Sequence, residues 1–258
     1  MKNGNAGWPR VIGVKSDTGL VRAGLRLVRN GILALACGVA VILLPAPGQV
    51  HSTASVDLVL VLALDVSGSI DNREFALQQR GLAKAFRNVR IVEAIQRGAL
   101  KRIAVAVVQW AGREKQAVAV PWAIIENDQT AHAFAERLAA MPRIFDNSET
   151  HIAGVIDFAA RYALSAPVAA PRRAIDISGD GMDNVLYSTH RARDRALAAG
   201  LTINGLTILN ETPELDSYYR FNVIGGPNAF VIKAKEYEDF ADAILRKLLR
   251  EINPPFIS

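Results

Sequence analysis

Apolar and polar positions follow two periods along the chain, one typical of buried strands and the other of amphipathic helices. Residues 56–64 are apolar at every position except Asp57, as expected of a strand that is buried on both faces. Residues 71–96 carry apolar side chains at helical spacing, and Asp71 followed three residues later by Glu74 indicates a capping box. The pattern therefore predicts a strand followed by a long helix.

Strands and helices alternate over the rest of the chain. Residues 102–110 and 115–122 predict two strands, which the short connection between them makes an antiparallel hairpin. The later predicted elements are helices at 127–140, 150–164, 185–199 and 237–252, strands at 173–178, 201–209 and 229–233, and a helix with a turn at 214–226. This order predicts a doubly wound α/β fold, in which helices cover both faces of a mostly parallel six-stranded sheet with one antiparallel edge strand.

Charge is distributed unevenly along the 258 residues. Of the 30 Lys and Arg residues and 25 Asp and Glu residues, six basic residues and one acid lie in residues 1–54. The remaining 24 basic and 24 acidic residues cancel. A domain close to neutral argues against a nucleic-acid binder that depends on bulk positive charge.

The N-terminal 54 residues have the features of an export signal. Residues 31–47 are uncharged and mostly apolar, Arg26 and Arg29 precede them, and residues 52–54 offer a small-x-small cleavage site. An uncleaved membrane anchor is the alternative, and either one exports the following domain to the periplasm or the exterior. We therefore expect a leader at 1–54 and one domain at 55–258. The single cysteine lies within the leader, so the domain has no disulfide.

Candidate chemistry is concentrated where the predicted strands end. Asp65, Ser67 and Ser69 follow the first strand, Asp180 follows the strand at 173–178, and Thr150 occupies the predicted N-cap of its helix. In sheets of this kind, ligands bind outside the carboxyl ends of the strands. Carboxylate and hydroxyl oxygens are hard ligands that suit Mg²⁺. The pattern therefore predicts a divalent-cation site.

These residues resemble the metal-ion-dependent adhesion site (MIDAS) of von Willebrand factor type A (VWA) domains, in which Asp-x-Ser-x-Ser is joined by a Thr and an Asp from two further loops. The resemblance extends over about residues 55–252 and is greatest to a bacterial branch with a leader and a Ser-Gly-Asp-Gly sequence. It implies direct coordination of Mg²⁺, or Mn²⁺ or Ca²⁺, by Ser67, Ser69 and Thr150, with Asp65 and Asp180 acting directly or through water. It also implies a non-enzymatic module whose ion binds an acidic residue of a protein partner.

The third loop departs from that family pattern. Gly179 separates Ser178 from Asp180, where the family usually has Ser or Thr directly before Asp-Gly. The extra residue leaves Asp183 and Asp176 as alternative carboxylates for the site.

Other functions remain open on the sequence alone. Asp65 is also compatible with the nucleophile of a metal-dependent phosphohydrolase, although that chemistry favours a second acid where Ser67 stands. Two further alternatives are a structural domain with a vestigial metal site and a turn whose side chains only cap a helix. Ser67 lacks the glycine pattern of a serine hydrolase, and there is no phosphate-binding glycine loop.

Overall fold

The computed structural model describes three stretches of the chain: residues 54–146, 149–184 and 189–254. All the described elements belong to one unit, residues 50–258. The strands are β1 (Leu58–Asp65), β2 (Ile103–Trp110), β3 (Gln116–Ile125), β4 (Arg172–Gly179), β5 (Thr202–Ile208) and β6 (Val231–Ala234). The α-helices are α1 (Asn72–Phe86), α2 (Val89–Gln96), α3 (Asp128–Ala139), α4 (Ile152–Leu164), α5 (Thr189–Ala198), α6 (Leu215–Tyr218) and α7 (Phe240–Ile252). A π-helical turn (Tyr219–Val223) continues α6, and a 3₁₀ turn (Tyr237–Asp239) leads into α7.

The six strands form one sheet in the order β3-β2-β1-β4-β5-β6. Every neighbouring pair is parallel except β2 and β3, which are antiparallel and place β3 at an edge. The doubly wound α/β architecture predicted from the sequence is confirmed. The chain runs outward in both directions from the β1–β4 pair, so the switch point of the sheet lies between these two strands.

Two apolar cores lie on opposite faces of the sheet, and β1 contributes to both. Leu60 and Leu62 enter the core formed with α1, α2, α3 and α7, whereas Val59 and Val61 enter the core formed with α4, α5 and the π-helical turn. All eight residues of β1 are buried, which explains its nearly continuous apolar sequence.

The predicted long helix at 71–96 is wrong in one respect, because the structure divides it into α1 and α2. Arg87 ends α1, and the side chain of Asn88 accepts a hydrogen bond from the backbone N–H of Arg90 to begin α2. Apolar residues continue at helical spacing across the break because both helices bury a face in the same core. Periodicity alone therefore did not reveal the interruption.

Other predicted segments fall partly outside the described residues. The leader is one of them, and so is the start of the helix predicted at 185–199, of which the structure describes α5. Gly200 follows α5 with a φ of 82°, the left-handed conformation that commonly ends helices. Within the stretches that the structure describes, no helix has the length and apolarity needed to cross a bilayer.

Candidate metal centre

Three loops bring five oxygen-bearing side chains together at the carboxyl edge of the sheet. Ser67 Oγ and Ser69 Oγ are 3.3 Å apart, Ser69 Oγ donates to Asp180 Oδ1 at 2.9 Å, and Thr150 Oγ1 donates to Ser67 Oγ at 3.4 Å. Asp65 ends β1, directly before this group. We call these five side chains the oxygen cluster. All the site residues predicted from the sequence thus lie together, although they come from distant parts of the chain.

The first loop is shaped by hydrogen bonds that turn the chain from β1 toward α1. The backbone N–H of Ser67 donates to Asp65 Oδ1 at 2.8 Å, and the buried side chain of Gln78 donates to the carbonyl of Asp65 at 3.2 Å. The predicted capping box is confirmed, since Asp71 and Glu74 each accept from the other's backbone N–H, at 2.7 and 2.8 Å. These contacts fix the loop at both ends.

The second loop differs from the prediction in one detail. His151, rather than Thr150, is the N-cap residue of α4 and makes no side-chain capping bond. Asp183 takes over the capping role, because its Oδ2 accepts from the backbone N–H of Ala153 at 2.9 Å. The hydroxyl of Thr150 is therefore directed to Ser67 instead of its own helix.

The three candidate carboxylates of the third loop have separate surroundings. Asp180 contacts the hydroxyl of Ser69. Asp183 accepts a hydrogen bond from the backbone N–H of Ala153 at the start of α4. Asp176 lies inside β4, where its Oδ1 is 2.6 Å from the buried ammonium group of Lys247. Asp180 is therefore the member of this set that the fold brings to the oxygen cluster.

Burial strongly affects the two carboxylates of the cluster. Asp65 and Asp180 are 0% and 1% exposed. Burial, followed by the nearby charge of Asp180, raises the pKa of Asp65 to about 8. Burial also raises the pKa of Asp180, against the opposing effect of hydrogen bonds from Ser69 and Tyr237. Neither carboxylate forms an ion pair with a Lys or Arg in the part of the chain that the structure describes, and the effect of Arg143 on Asp65 is smaller than that of burial, so a bound cation would supply the missing positive charge.

The donors of the cluster fit a hard divalent cation. They are hydroxyl and carboxylate oxygens, which Mg²⁺, Mn²⁺ and Ca²⁺ prefer over nitrogen and sulfur. Within the described part of the chain, no three His, Cys, Asp or Glu side chains are grouped closely enough to hold a metal ion. A metal centre at this edge therefore depends on hydroxyl ligands, which the two serines and the threonine provide.

Two residues that support the cluster had no signal in the sequence. Arg143 donates to the carbonyls of Val66 and Ser67, both at 3.2 Å, and so ties the loop after α3 to the first loop. The hydroxyl of Tyr237 donates to Asp180 Oδ2 at 3.0 Å from the turn that leads into α7. Both contacts join residues more than 50 positions apart, and no local pattern marks them.

Solved structures of VWA-type domains share this fold. Proximal thread matrix protein 1 from the mussel byssus matches with a TM-score of 0.55 and 16% identity over 76% of this chain and 48% of that one. A von Willebrand factor type A structure from Catenulispora acidiphila matches with a TM-score of 0.53 and 19% identity, over 76% of this chain and 43% of that one. The pilus adhesin SpaC from Lactobacillus rhamnosus GG matches with a TM-score of 0.53 and 11% identity, over 76% and 30%. This chain therefore spans less than half the length of each of these proteins.

Another structure of the mussel protein is described as having a zinc-occupied MIDAS motif, and it matches with a TM-score of 0.51 and 16% identity, over 76% of this chain and 48% of that one. No curated protein matches the chain. A family described as "Protein of unknown function (DUF1194)" matches residues 55–256, which is well over half of the sequence. The chain therefore belongs to this family, which has a VWA-like fold.

Proposed function

We propose that this protein is an exported, non-enzymatic binding module that engages a partner protein through a divalent cation. Asp65, Ser67, Ser69, Thr150 and Asp180 hold the ion, which is Mg²⁺ or, as substitutes, Mn²⁺ or Ca²⁺. The observation that carries the proposal is the continuous set of hydroxyl contacts that extends from Thr150 to Asp180.

The charge of the donor set accounts for the kind of partner. Three neutral hydroxyls and two carboxylates do not over-neutralise a divalent ion, and a coordination position that they leave open can take a further oxygen ligand. An acidic side chain of the partner protein is therefore the expected ligand. The fold relatives support this direction, since one is described as a pilus adhesin and another as having a metal-occupied MIDAS motif.

Export follows from the leader. Its basic residues precede an apolar segment and a cleavage-like sequence, and such a leader carries the domain across the inner membrane. A periplasmic or secreted location, with anchoring to the membrane if the leader is retained, gives the module access to other exported proteins.

Calorimetric titration with Mg²⁺ and Mn²⁺ tests the metal-binding part. We expect the wild-type protein to bind both ions and Asp65→Ala to bind at least about tenfold more weakly, which corresponds to about 1.4 kcal/mol. Ser165→Ala, which removes a hydroxyl at the far end of α4, is the matched control and should bind like wild type. Equal binding by Asp65→Ala and wild type would rule out this site.

Affinity capture from an exported-protein fraction tests the partner. The immobilised protein should retain a partner in Mg²⁺ and release it when a chelator is added. The interaction does not depend on the bound ion if Asp65→Ala retains the same partner in Mg²⁺, or if the wild-type protein retains it in the presence of chelator.

A further inference from the structure

In the oxygen cluster and on residues that border it, three buried polar atoms have no hydrogen-bond partner among the described residues. They are Oδ2 of Asp65, the hydroxyl of Tyr219 and Nε1 of Trp110. All three side chains are fully buried. Buried polar atoms of native proteins are nearly always hydrogen-bonded, so three such atoms in one region call for an explanation.

The three side chains meet at Gly179. A Cβ atom on Gly179 would lie 2.7 Å from the hydroxyl oxygen of Tyr219, 2.9 Å from Oδ2 of Asp65 and 3.5 Å from Cζ2 of Trp110. Real Cβ atoms essentially never approach other atoms as closely as the first two distances. Only glycine, therefore, lets both oxygens lie against the backbone at this point.

The chemistry of the two oxygens is complementary. A tyrosine hydroxyl can donate one hydrogen bond, and a carboxyl oxygen such as Oδ2 of Asp65 can accept one. A tyrosine hydroxyl has an ordinary pKa of about 10, so it carries the proton that this hydrogen bond needs at neutral pH. On the other carboxylate of the cluster, the equivalent contact is already made, because Tyr237 donates to Asp180 Oδ2 at 3.0 Å.

The backbone around Tyr219 is also unusual. Tyr219 is the first residue of the π-helical turn, and π-helical segments are frequent at functional sites. A Cβ atom on Gly205 of β5 would lie 2.7 Å from Cδ1 of Tyr219, so a second glycine makes room for the ring. Two glycines and an irregular turn together place one hydroxyl beside Asp65.

We propose that Tyr219 is a positioning residue of the metal centre, whose hydroxyl donates to Oδ2 of Asp65 through one water, since the two atoms form no direct hydrogen bond in the structure. Gly179 is glycine because this pairing requires a backbone without a side chain. The consequence for metal affinity rests on the proposed function: a carboxylate held in one orientation binds an ion more tightly. Gly179 is also the residue that separates Ser178 from Asp180 in the third loop, so its place there has a structural role.

Two pairs of variants test the effect on metal binding. Tyr219→Phe removes only the hydroxyl, and Gly179→Ala inserts a methyl group between the two oxygens. Loss of such a supporting contact typically weakens metal binding about 10- to 100-fold, so we expect both variants to raise the dissociation constant for Mn²⁺ at least about tenfold. The controls are Tyr218→Phe and Gly112→Ala. The atoms nearest to a Cβ added on Gly112 all belong to Glu149, at 3.4 to 3.5 Å, and none belongs to the oxygen cluster. Both controls should stay within about twofold of wild type.

Urea unfolding in chelator separates positioning from general stability. A residue with a purely structural role would change the stability of the metal-free protein and leave the dissociation constant of the folded protein unchanged. An unchanged dissociation constant in Tyr219→Phe would therefore overturn the proposal, even if Gly179→Ala fails to fold.

Proton NMR of the metal-free protein tests the contact without any ion. We expect a slowly exchanging hydroxyl proton that is absent in Tyr219→Phe and shifted in Asp65→Asn. A Tyr219 hydroxyl signal that Asp65→Asn leaves unmoved, or the absence of such a signal in wild type, would contradict the pairing. This measurement keeps the pairing testable if wild type binds no metal, an outcome that would refute the proposed function alone.

Discussion

Asp65 and Asp180 share one buried region, and neither forms an ion pair with a Lys or Arg among the described residues. The nearest cationic influence on Asp65 is Arg143, which lowers the pKa of this carboxyl less than burial and Asp180 raise it. The folded protein therefore keeps a proton on Asp65 at pH values where the unfolded chain has lost it. Ionisation of the pair without a cation destabilises the fold.

The stability of the metal-free protein should consequently fall as the pH rises. The ordinary pKa of Asp65 is 3.8 and its folded value is about 8, so between these values the native state binds more protons and the free energy of unfolding decreases with pH. Metal binding displaces the proton and should strengthen over the same range. Urea unfolding in chelator and Mn²⁺ titration, both at pH 5 to 8, measure the two slopes.

Asp65→Asn is the control for this pH dependence. Burial also raises the pKa of Asp176, to about 7, which adds a slope of the same sign. The difference between wild type and Asp65→Asn isolates the contribution of Asp65. Identical slopes in the two proteins would contradict the prediction.

Arg143 should matter for stability more than an ordinary surface arginine. Its side chain is 13% exposed, and it donates to the carbonyls of Val66 and Ser67. Arg143→Met leaves these carbonyls without that donor, and we expect a loss of about 1–3 kcal/mol in the free energy of unfolding. Arg90→Met, at an exposed position of α2, is the control and should change it by less than about 0.5 kcal/mol. Equal effects would show that the carbonyl contacts add nothing.

The sequence identified the oxygen cluster because each of its members carries a local signal. Asp65, Ser67 and Ser69 alternate at the end of an apolar strand, and Asp180 follows another strand beside a glycine. The supporting residues have no such signal. Tyr237 and Asp180 are 57 positions apart in the chain, and only tertiary packing brings the turn before α7 to the loop that follows β4.

At the scale of elements, α7 is fixed to the sheet by a buried ionic group. Lys247 lies 2.6 Å from Asp176 of β4 and 2.7 Å from Glu251 one helical turn further on, and Glu251 also accepts from Asn204 of β5 at 2.9 Å. The Tyr237 contact adds a second attachment, at the start of the helix. Thus α7 is held at one end by the core and at the other by the oxygen cluster.

Removing the cation of this group should be strongly destabilising. Lys247→Met leaves Asp176 and Glu251 buried without their positive partner, and breaking a buried ion pair in this way costs about 3–5 kcal/mol. Lys84→Met, at an exposed position of α1, should change stability by less than about 0.5 kcal/mol. Urea unfolding of the two variants checks the difference. A small effect of Lys247→Met would mean that the carboxylates become neutral at little cost.

Element types were predicted more successfully than element boundaries. The strands follow from nearly continuous apolar segments, because both faces of the sheet are covered and alternation is lost. The break between α1 and α2 depends on one capping contact of Asn88, which does not disturb the apolar period. The hydrogen bond that Asp183 gives α4 likewise needs the folded arrangement of two distant loops.

At the scale of the whole molecule, the oxygen cluster connects the two layers of the fold. The first loop leads into α1 on one face of the sheet, whereas Thr150 precedes α4 on the other face. Asp180 follows β4, the neighbour of β1 at the switch point. A bound ion would therefore link segments that lead into both layers of the fold.

Metal binding should accordingly stabilise the whole domain and not one loop. At an Mn²⁺ concentration of about 100 times the dissociation constant, binding to the native state alone adds about 2.7 kcal/mol. For a domain of this size, each kcal/mol raises Tm by roughly 2–4 °C, so we expect a rise of roughly 5–10 °C that chelator reverses. Calorimetry and tryptophan fluorescence should report the same shift, because the cluster joins both layers. Asp65→Asn should show little of it, and a shift of equal size in that variant would place the ion elsewhere.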